Sequence, residues 1–356
     1  MIATQTISTG VKVRVLVADD SGFMRLLIRD ILTSDDGIEV VGTAANGQEA
    51  FEKTLSLKPD VVILDMIMPD YDGLYAVEKI MSDCPTPILV LSSIGHTNIN
   101  PIMKSLQMGA FDYLNKPVKG IGKLRDIERE IVRKVRTASS TDIKKLLAET
   151  NSTRNVNPHV FAQDLPYEAI VIGSSTGGPA ALEKVVSNLP SNLAVPVLIA
   201  QHMPENFVPS FALRINSMVP LDVKVGAMNM PVRPGDIIIA PGNKNMIIKK
   251  VPGQQYPVID YSFKKYKEFN NPSVDALMNS VADVYGEKTI GVILTGMGKD
   301  GAEGMQKIKS KGGYTIAQSQ DTCAVFGMPR EAIERNCVDS VVKISDIGGF
   351  LISCLS

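Results

Sequence analysis

The sequence predicts a two-domain α/β protein in which each domain is a mostly parallel sheet covered by helices on both faces. Three observations carry that expectation. Short β-branched runs alternate with helical patterns in two separate blocks. Several of the runs are apolar throughout, as strands buried on both faces must be. Between the blocks, from Ala138 to Tyr167, the periodicity dissolves into Ser, Thr, Asn and Asp, interrupted by Pro158 and Pro166. The expected boundaries are 12–136 for the first domain, 137–166 for a linker and 167–356 for the second.

In the first block, Val11 to Ala18 reads as a strand, and Ser21 to Leu32 as a helix with Phe23, Leu26, Leu27, Ile28 and Ile31 on one side. Ile38 to Ala44 is a second strand and Gly47 to Leu57 a second helix. Val61 to Asp65 is a third strand, wholly apolar until its closing carboxylate. Ile88 to Ser92 and Phe111 to Leu114 are the fourth and fifth, and Lys123 to Thr137 is a charged closing helix. Within the linker only Asp142 to Thr150 has a helical pattern.

The second block begins with a strand from Ala169 to Gly173, a helix from Pro179 to Leu189 and a strand from Val195 to Gln201. A helix from Val208 to Ser217 and a strand from Asp236 to Ala240 follow, then a hairpin of Met246 to Lys250 with Val258 to Tyr261. Ser273 to Tyr285 and Gly301 to Lys311 are helices, and Thr289 to Thr295 and Tyr314 to Ala317 are strands.

Composition narrows the function classes. The 356 residues are 44% hydrophobic and 21% charged, with a formal net charge of -1. No global basic field therefore recruits nucleic acid or an anionic membrane. No apolar run approaches the roughly 20 residues that span a bilayer, and the Thr-rich start lacks a signal-peptide core. A cytoplasmic protein without membrane insertion is expected. Cys84, Cys323, Cys337 and Cys354 have neither CxxC nor metal-ligand spacing, and read as small buried or incidental residues. Only His96, His159 and His202 could supply an imidazole.

In a parallel sheet, functional groups gather beyond the carboxyl ends of the strands. There the first domain sets Asp19 and Asp20 after strand one, Asp65 ending strand three, Ser92 ending strand four and Lys116 after strand five. Three carboxylates at one edge repel unless a cation joins them, and a hard divalent ion such as Mg2+ answers that need. Asp65 can then attack a phosphoryl group while the metal and Lys116 neutralise charge.

The second domain opens on Gly173-Ser174-Ser175-Thr176-Gly177-Gly178-Pro179, a glycine-rich strand-to-helix turn. Such a turn can cradle a phosphate on its N–H groups or present a serine nucleophile beside an oxyanion hole. It matches neither a dinucleotide fingerprint, nor a P-loop, nor a GxSxG elbow. Two further strand ends bear on the choice: Gln201-His202-Met203-Pro204 and Thr295-Gly296-Met297-Gly298-Lys299-Asp300-Gly301. Serine, histidine and aspartate thus lie at one edge of the sheet, where His202 can take the Ser175 proton and Asp300 can hold the imidazole. The plainer alternatives are a surface histidine and an aspartate capping the helix that follows it. No metal is needed for this chemistry, and zinc spacings are absent.

Residues 13–135 resemble the receiver domain of response regulators, through Val17-Ala18-Asp19-Asp20-Ser21, Leu64-Asp65-Met66-Ile67-Met68-Pro69, Asp72-Gly73, Ser92 and Lys116-Pro117. The resemblance implies a flavodoxin-like, five-stranded parallel sheet and makes Asp65 the phospho-acceptor. It implies a metal held by Asp20, Asp65 and the backbone carbonyl of Ile67, with Ser92 and Lys116 on the phosphoryl oxygens. Ile67 lacks the polar side chain common in relatives at its position. Tyr113 stands at the aromatic switch position, where a half-buried sheet aromatic is the other reading.

Residues 168–350 resemble the catalytic domain of the CheB family of chemotaxis protein-glutamate methylesterases. Gly173 to Gly178, Gln201 to Pro204, Ala240-Pro241-Gly242, Pro272 to Asp275, Gly291 to Gly304 and Ala324 to Ala332 carry the match. The resemblance implies Ser175 as nucleophile, His202 as general base and Asp300 as orienting acid. Thr176 would assist at the turn and the Met297 N–H in the oxyanion hole. Ser174 replaces the more usual alanine. Implied partners are the cytoplasmic helices of methyl-accepting chemoreceptors and a chemotaxis-type histidine kinase as phospho-donor. The implied reactions are hydrolysis of glutamyl methyl esters, releasing methanol, and deamidation of receptor glutamines. Phosphorylation adds roughly -1.5 to -2 of charge, so the unphosphorylated first domain is expected to cover the Ser175 cleft until Asp65 is modified. A nucleotide-binding regulator, a DNA-binding regulator and an inactive interaction module are the other readings.

Overall fold

The structure, a computed structural model, describes residues 11–92, 100–116, 124–141, 143, 166–266 and 271–356. The side chains of residues 92, 115 and 124–127 lie outside the described residues. So do His96, His159, most of the expected linker and nearly all of the helix expected from Asp142 to Thr150. The chain divides into two compact units about Lys144.

The first unit is built on β1 (Val13–Ala18), β2 (Ile38–Ala44), β3 (Val61–Asp65), β4 (Ile88–Ser92) and β5 (Asp112–Asn115). They pair in parallel in the order β2-β1-β3-β4-β5. Every residue of β3 is buried, as its unbroken apolar run requires of a central strand. The first strand begins two residues later than expected. Val11 is 98% exposed, and the first ladder bond here runs from the Val13 N–H to Gly37 O at 2.8 Å.

Helices α1 (Gly22–Thr33), α2 (Gly47–Leu57), α3 (Gly73–Asp83), α4 (Asn100–Gln107) and α5 (Leu124–Ser139) connect these strands and close the unit. Side chains start three of them: Ser21 accepts from the Met24 N–H, Asn46 from Glu49 and Asp72 from Tyr75.

The second unit carries a seven-stranded sheet in the order β14-β13-β12-β6-β7-β9-β8, parallel throughout. Its strands are β6 (Ala169–Ser174), β7 (Val197–Gln201), β8 (Asp222–Val225), β9 (Asp236–Ile239), β12 (Thr289–Ile293), β13 (Tyr314–Gln318) and β14 (Ser340–Val342). The antiparallel hairpin of β10 (Asn245–Lys249) and β11 (Val258–Ser262) stands apart as a second sheet. The helices are α6 (Gly178–Val186), α7 (Val208–Met218), α8 (Val274–Tyr285), α9 (Ala302–Ser310), α10 (Met328–Glu334) and α11 (Ile344–Cys354). Helix α8 packs on α9, β6 and β10, burying Leu277, Met278 and Val281 with Ile293, Met305 and Ile308.

Six elements lack a counterpart among the sequence expectations: α3, α4, β8, α10, β14 and α11. Strands β8 and β14 are edge strands of four and three residues, too short to show a period. Helix α11 carries Gly348 and Gly349 mid-helix, which lowers intrinsic propensity. It is held by packing instead, with Ile344, Ile347 and Leu351 buried. Among the described residues no helix is long and apolar enough to cross a membrane.

Candidate functional site

Two groups of side chains collect at the carboxyl edges of the two sheets. In the first unit, Asp19 follows β1, Asp65 ends β3 and Lys116 follows β5. The three meet: Lys116 Nζ lies 2.6 Å from Asp65 Oδ2 and 2.9 Å from Asp19 Oδ2. Asp19 and Asp65 are buried and Asp20 is exposed. Carboxylate oxygens of all three aspartates lie within 4.8 Å of one another. Backbone groups fix the cluster, since Asp19 Oδ1 accepts the Ser21 N–H at 2.9 Å. Arg25 donates to the Asp19 and Asp20 carbonyls, and the Ile67 N–H reaches Asp65 Oδ1 at 3.4 Å.

Burial pushes the Asp65 carboxyl above its ordinary value, against the pull of Lys116. Burial alone would lower the Lys116 ammonium, but its hydrogen bond to Asp65 and its ion pair with Asp19 hold it above its ordinary value. Asp19 Oδ2 is buried and accepts no hydrogen bond, although the Lys116 charge stands beside it. One ammonium among three carboxylates, with a buried oxygen still unbonded, fits a hard, oxygen-seeking divalent ion. Ser92 ends β4 in register with Asn115, and its side chain lies outside the described residues. Tyr113 is buried rather than half-buried, with its carbonyl accepting from Lys134 Nζ at 2.7 Å and its ring 5.0 Å from that ammonium.

In the second unit, Ser175 follows β6, His202 follows β7 and Asp300 lies in the loop from β12 to α9. The ladder continues past the strands, because the His202 N–H donates to Ser174 O at 3.1 Å and the Ser175 N–H to Thr295 O at 3.0 Å. Gly296 must be glycine: a Cβ there would stand 2.8 Å from Ser175 Cβ and 3.0 Å from Ser175 N. His202 Nε2 lies 2.8 Å from Asp300 Oδ2. With the Nε2 proton donated to that carboxylate, Nδ1 carries the lone pair that can take a proton. His202 is not a surface histidine, its side chain being 8% exposed.

Asp300 does cap a helix, but not the one that follows it. Its Oδ2 accepts the Val274 N–H at 2.7 Å, and its Oδ1 accepts the Asp275 N–H at 3.0 Å and Ser273 Oγ at 3.1 Å. Those donors are the N-terminus of α8, where a carboxylate is favoured. Burial would raise the Asp300 carboxyl, but His202 and the α8 amides hold it below its ordinary value.

Asp275, which the sequence did not single out, returns the favour: its Oδ1 accepts the Gly301 and Gly304 N–H groups at 2.9 and 2.8 Å, capping α9. The start of α8 is thus capped by Asp300, from the loop that leads into α9, and the start of α9 by Asp275 of α8.

Burial, and then the Asp300 charge, push Asp275 from 3.8 to about 7, and Glu303 acts in the same sense. Arg335 lies close enough for its charge and that of Asp275 to interact. A carboxyl raised on folding favours the folded state at acid pH and loses that contribution as pH rises, here between 3.8 and about 7. Asp275→Asn keeps the accepting oxygen and does not titrate. Denaturant midpoints measured across that window should fall less with pH in the variant than in wild type. Superimposable profiles would contradict this.

Thr176 is buried, and its carbonyl accepts Thr295 Oγ1 at 3.0 Å. Gly296 O accepts the Gly327 and Met328 N–H groups at 3.1 and 2.8 Å. A trans peptide sets its N–H opposite its C=O, so the Met297 N–H points away from that loop. Thr295 is a second residue that sequence reasoning missed. Its hydroxyl accepts the Val325 N–H at 2.9 Å and staples the Ser175 turn to the segment that leads into α10.

The CheB methylesterase family model matches residues 170–351, and the response regulator receiver domain model matches residues 15–127. The chain belongs to the CheB methylesterase family. It joins a receiver domain to a CheB methylesterase domain. A protein-glutamate methylesterase/protein-glutamine glutaminase of Methanococcus maripaludis is 41% identical over 352 residues, covering 94% of this chain and 96% of its own. One of the same name from Archaeoglobus fulgidus is 42% identical, covering 94% and 95%. The crystal structure of the Thermotoga maritima CheB methylesterase catalytic domain is 41% identical with a TM-score of 0.50. It covers 52% of this chain and 98% of that one.

Proposed function

We propose that this chain is a phosphorylation-activated hydrolase of the CheB kind. It removes methyl esters from glutamate side chains of chemoreceptors, releasing methanol, and deamidates receptor glutamines. The observation that carries the reading is the 2.8 Å contact of His202 with buried Asp300, beside the turn that presents Ser175. Ser175 Oγ attacks the ester carbonyl as its proton passes to His202 Nδ1, and Asp300 stabilises the imidazolium. The Met297 N–H supports the oxyanion, and Thr176 shapes the turn. Collapse of the tetrahedral species breaks the C–O bond to the methoxy group, which leaves with the His202 proton as methanol. Water, deprotonated by His202, then cleaves the acyl-enzyme and restores Ser175. With a glutamine the leaving group is ammonia.

The first unit supplies the switch. Asp65 Oδ attacks the phosphorus of a phosphohistidine on a chemotaxis-type kinase, forming the O–P bond as the N–P bond breaks. Lys116 and Ser92 bind the phosphoryl oxygens. Asp20, Asp65 and the Ile67 carbonyl would hold Mg2+, which when bound neutralises charge on those oxygens.

Methanol release from methylated receptor membranes, with wild type against His202→Ala, tests the reading. Wild type that releases none overturns it. Acetyl phosphate with Mg2+ should stimulate wild type several-fold and leave Asp65→Asn at its basal rate. Equal stimulation of both would remove Asp65 from the switch.

A further inference from the structure

Beside the proposed nucleophile, a buried amide with three hydrogen bonds belongs to a residue with no role in the chemistry. Gln201 ends β7 and pairs in register with Ser174, which ends β6. Both are buried. Gln201 Oε1 accepts from Ser174 Oγ at 2.6 Å. Its Nε2 donates twice, to Ser175 O at 3.0 Å and to His202 O at 2.9 Å. The orientation is fixed by chemistry, because a flipped amide would set Oε1 against two carbonyl oxygens that cannot donate.

One planar, buried amide thus bridges the backbone of the proposed nucleophile and that of the proposed base. The fit leaves no slack. A Cβ on Gly178 would stand 2.0 Å from Gln201 Oε1 and 2.9 Å from Ser174 Cβ. Glycine at 178 is therefore set by the amide itself.

We propose that Gln201 is a positioning residue that fixes the Ser175 and His202 backbones at their working separation, with Ser174 orienting its amide. The inference rests on the serine-hydrolase reading above. Without the amide, the His202 carbonyl loses this donor and the Ser175 carbonyl keeps only the Gly178 N–H, so the tie between the two strand ends is lost. A displacement near 1 Å can lower turnover about 100-fold while leaving substrate binding alone.

The test uses the full chain with acetyl phosphate and tritium-methylated receptor membranes, comparing wild type with Gln201→Glu, Gln201→Met and Ser174→Ala. Gln201→Glu and Gln201→Met should lower kcat by about 30- to 100-fold, with KM within about twofold. The reaction of Ser175 with a small sulfonyl fluoride, which needs no receptor, should slow in parallel. Ser174→Ala, which merely frees the amide, should lower kcat by about threefold to tenfold, in line with one neutral hydrogen bond. Should the Gln201 variants not fold, Ser174→Ala decides by the same criterion. Wild type lacking both methanol release and sulfonyl fluoride reactivity overturns the hydrolase reading. Active wild type with kcat unchanged in the variants, or with KM alone altered, overturns the positioning role of Gln201.

Discussion

Ser175→Ala is expected to lower methanol release by about 10,000-fold or more while leaving the unfolding midpoint unchanged. Ser175 is half-buried on a turn whose backbone is held by other residues: its N–H by Thr295 O, and its carbonyl by the Gly178 N–H at 2.8 Å as well as by Gln201. Removing Oγ therefore costs the fold almost nothing and removes the group that becomes acylated. His202→Ala should lose a similar factor, because residues that act as a unit fail together. Adding the second substitution to the first should then cost little more. Initial rates on labelled receptor membranes, with thermal unfolding on the same samples, check both statements. A Ser175→Ala protein retaining a tenth of wild-type kcat would exclude Ser175 as nucleophile.

Asp300→Ala is expected to damage both chemistry and fold. The carboxylate is 1% exposed and accepts from His202, Ser273, Val274 and Asp275. Its loss leaves the α8 N-terminus without its acceptor and the imidazole without its partner. Stranding buried partners of this kind costs about 3–5 kcal/mol. Asp300→Asn separates the two effects. It keeps an accepting oxygen for α8, but its amide cannot accept and donate at the same positions, so His202 is held in the wrong tautomer. Turnover should fall by about 10,000-fold, as when a triad aspartate is neutralised, with a smaller loss of stability. Urea unfolding and kcat measured on both variants distinguish a group that orients a base from one that only caps a helix.

The parallel strands and the groups at their ends were legible because both follow local rules. A buried parallel strand must be apolar along its length, and Val61 to Leu64 could hardly be read otherwise. The residue after such a strand falls at the functional edge, which is how Asp65, Ser175 and His202 emerged. What stayed hidden depends on two elements meeting. Nothing in the order Ser273-Val274-Asp275 says that its amides are capped by a residue 25 positions later. Likewise, Asp300 precedes the helix that it does not cap. Gln201 gave no signal beyond its place in a matching stretch, since its role exists only once β6 and β7 stand in register. The hairpin β10–β11 was legible as two short runs rich in branched apolar residues, but its separation from the main sheet is a tertiary fact.

The exchange of carboxylates between α8 and α9 gives this enzyme a built-in reporter. The acid that orients the proposed base is also the cap of one of the most deeply packed helices of its domain. Any opening that separates α8 from α9 disarms His202 at the same moment. Catalytic competence and integrity of the core should then be lost in a single transition, so residual turnover after heating counts folded molecules directly.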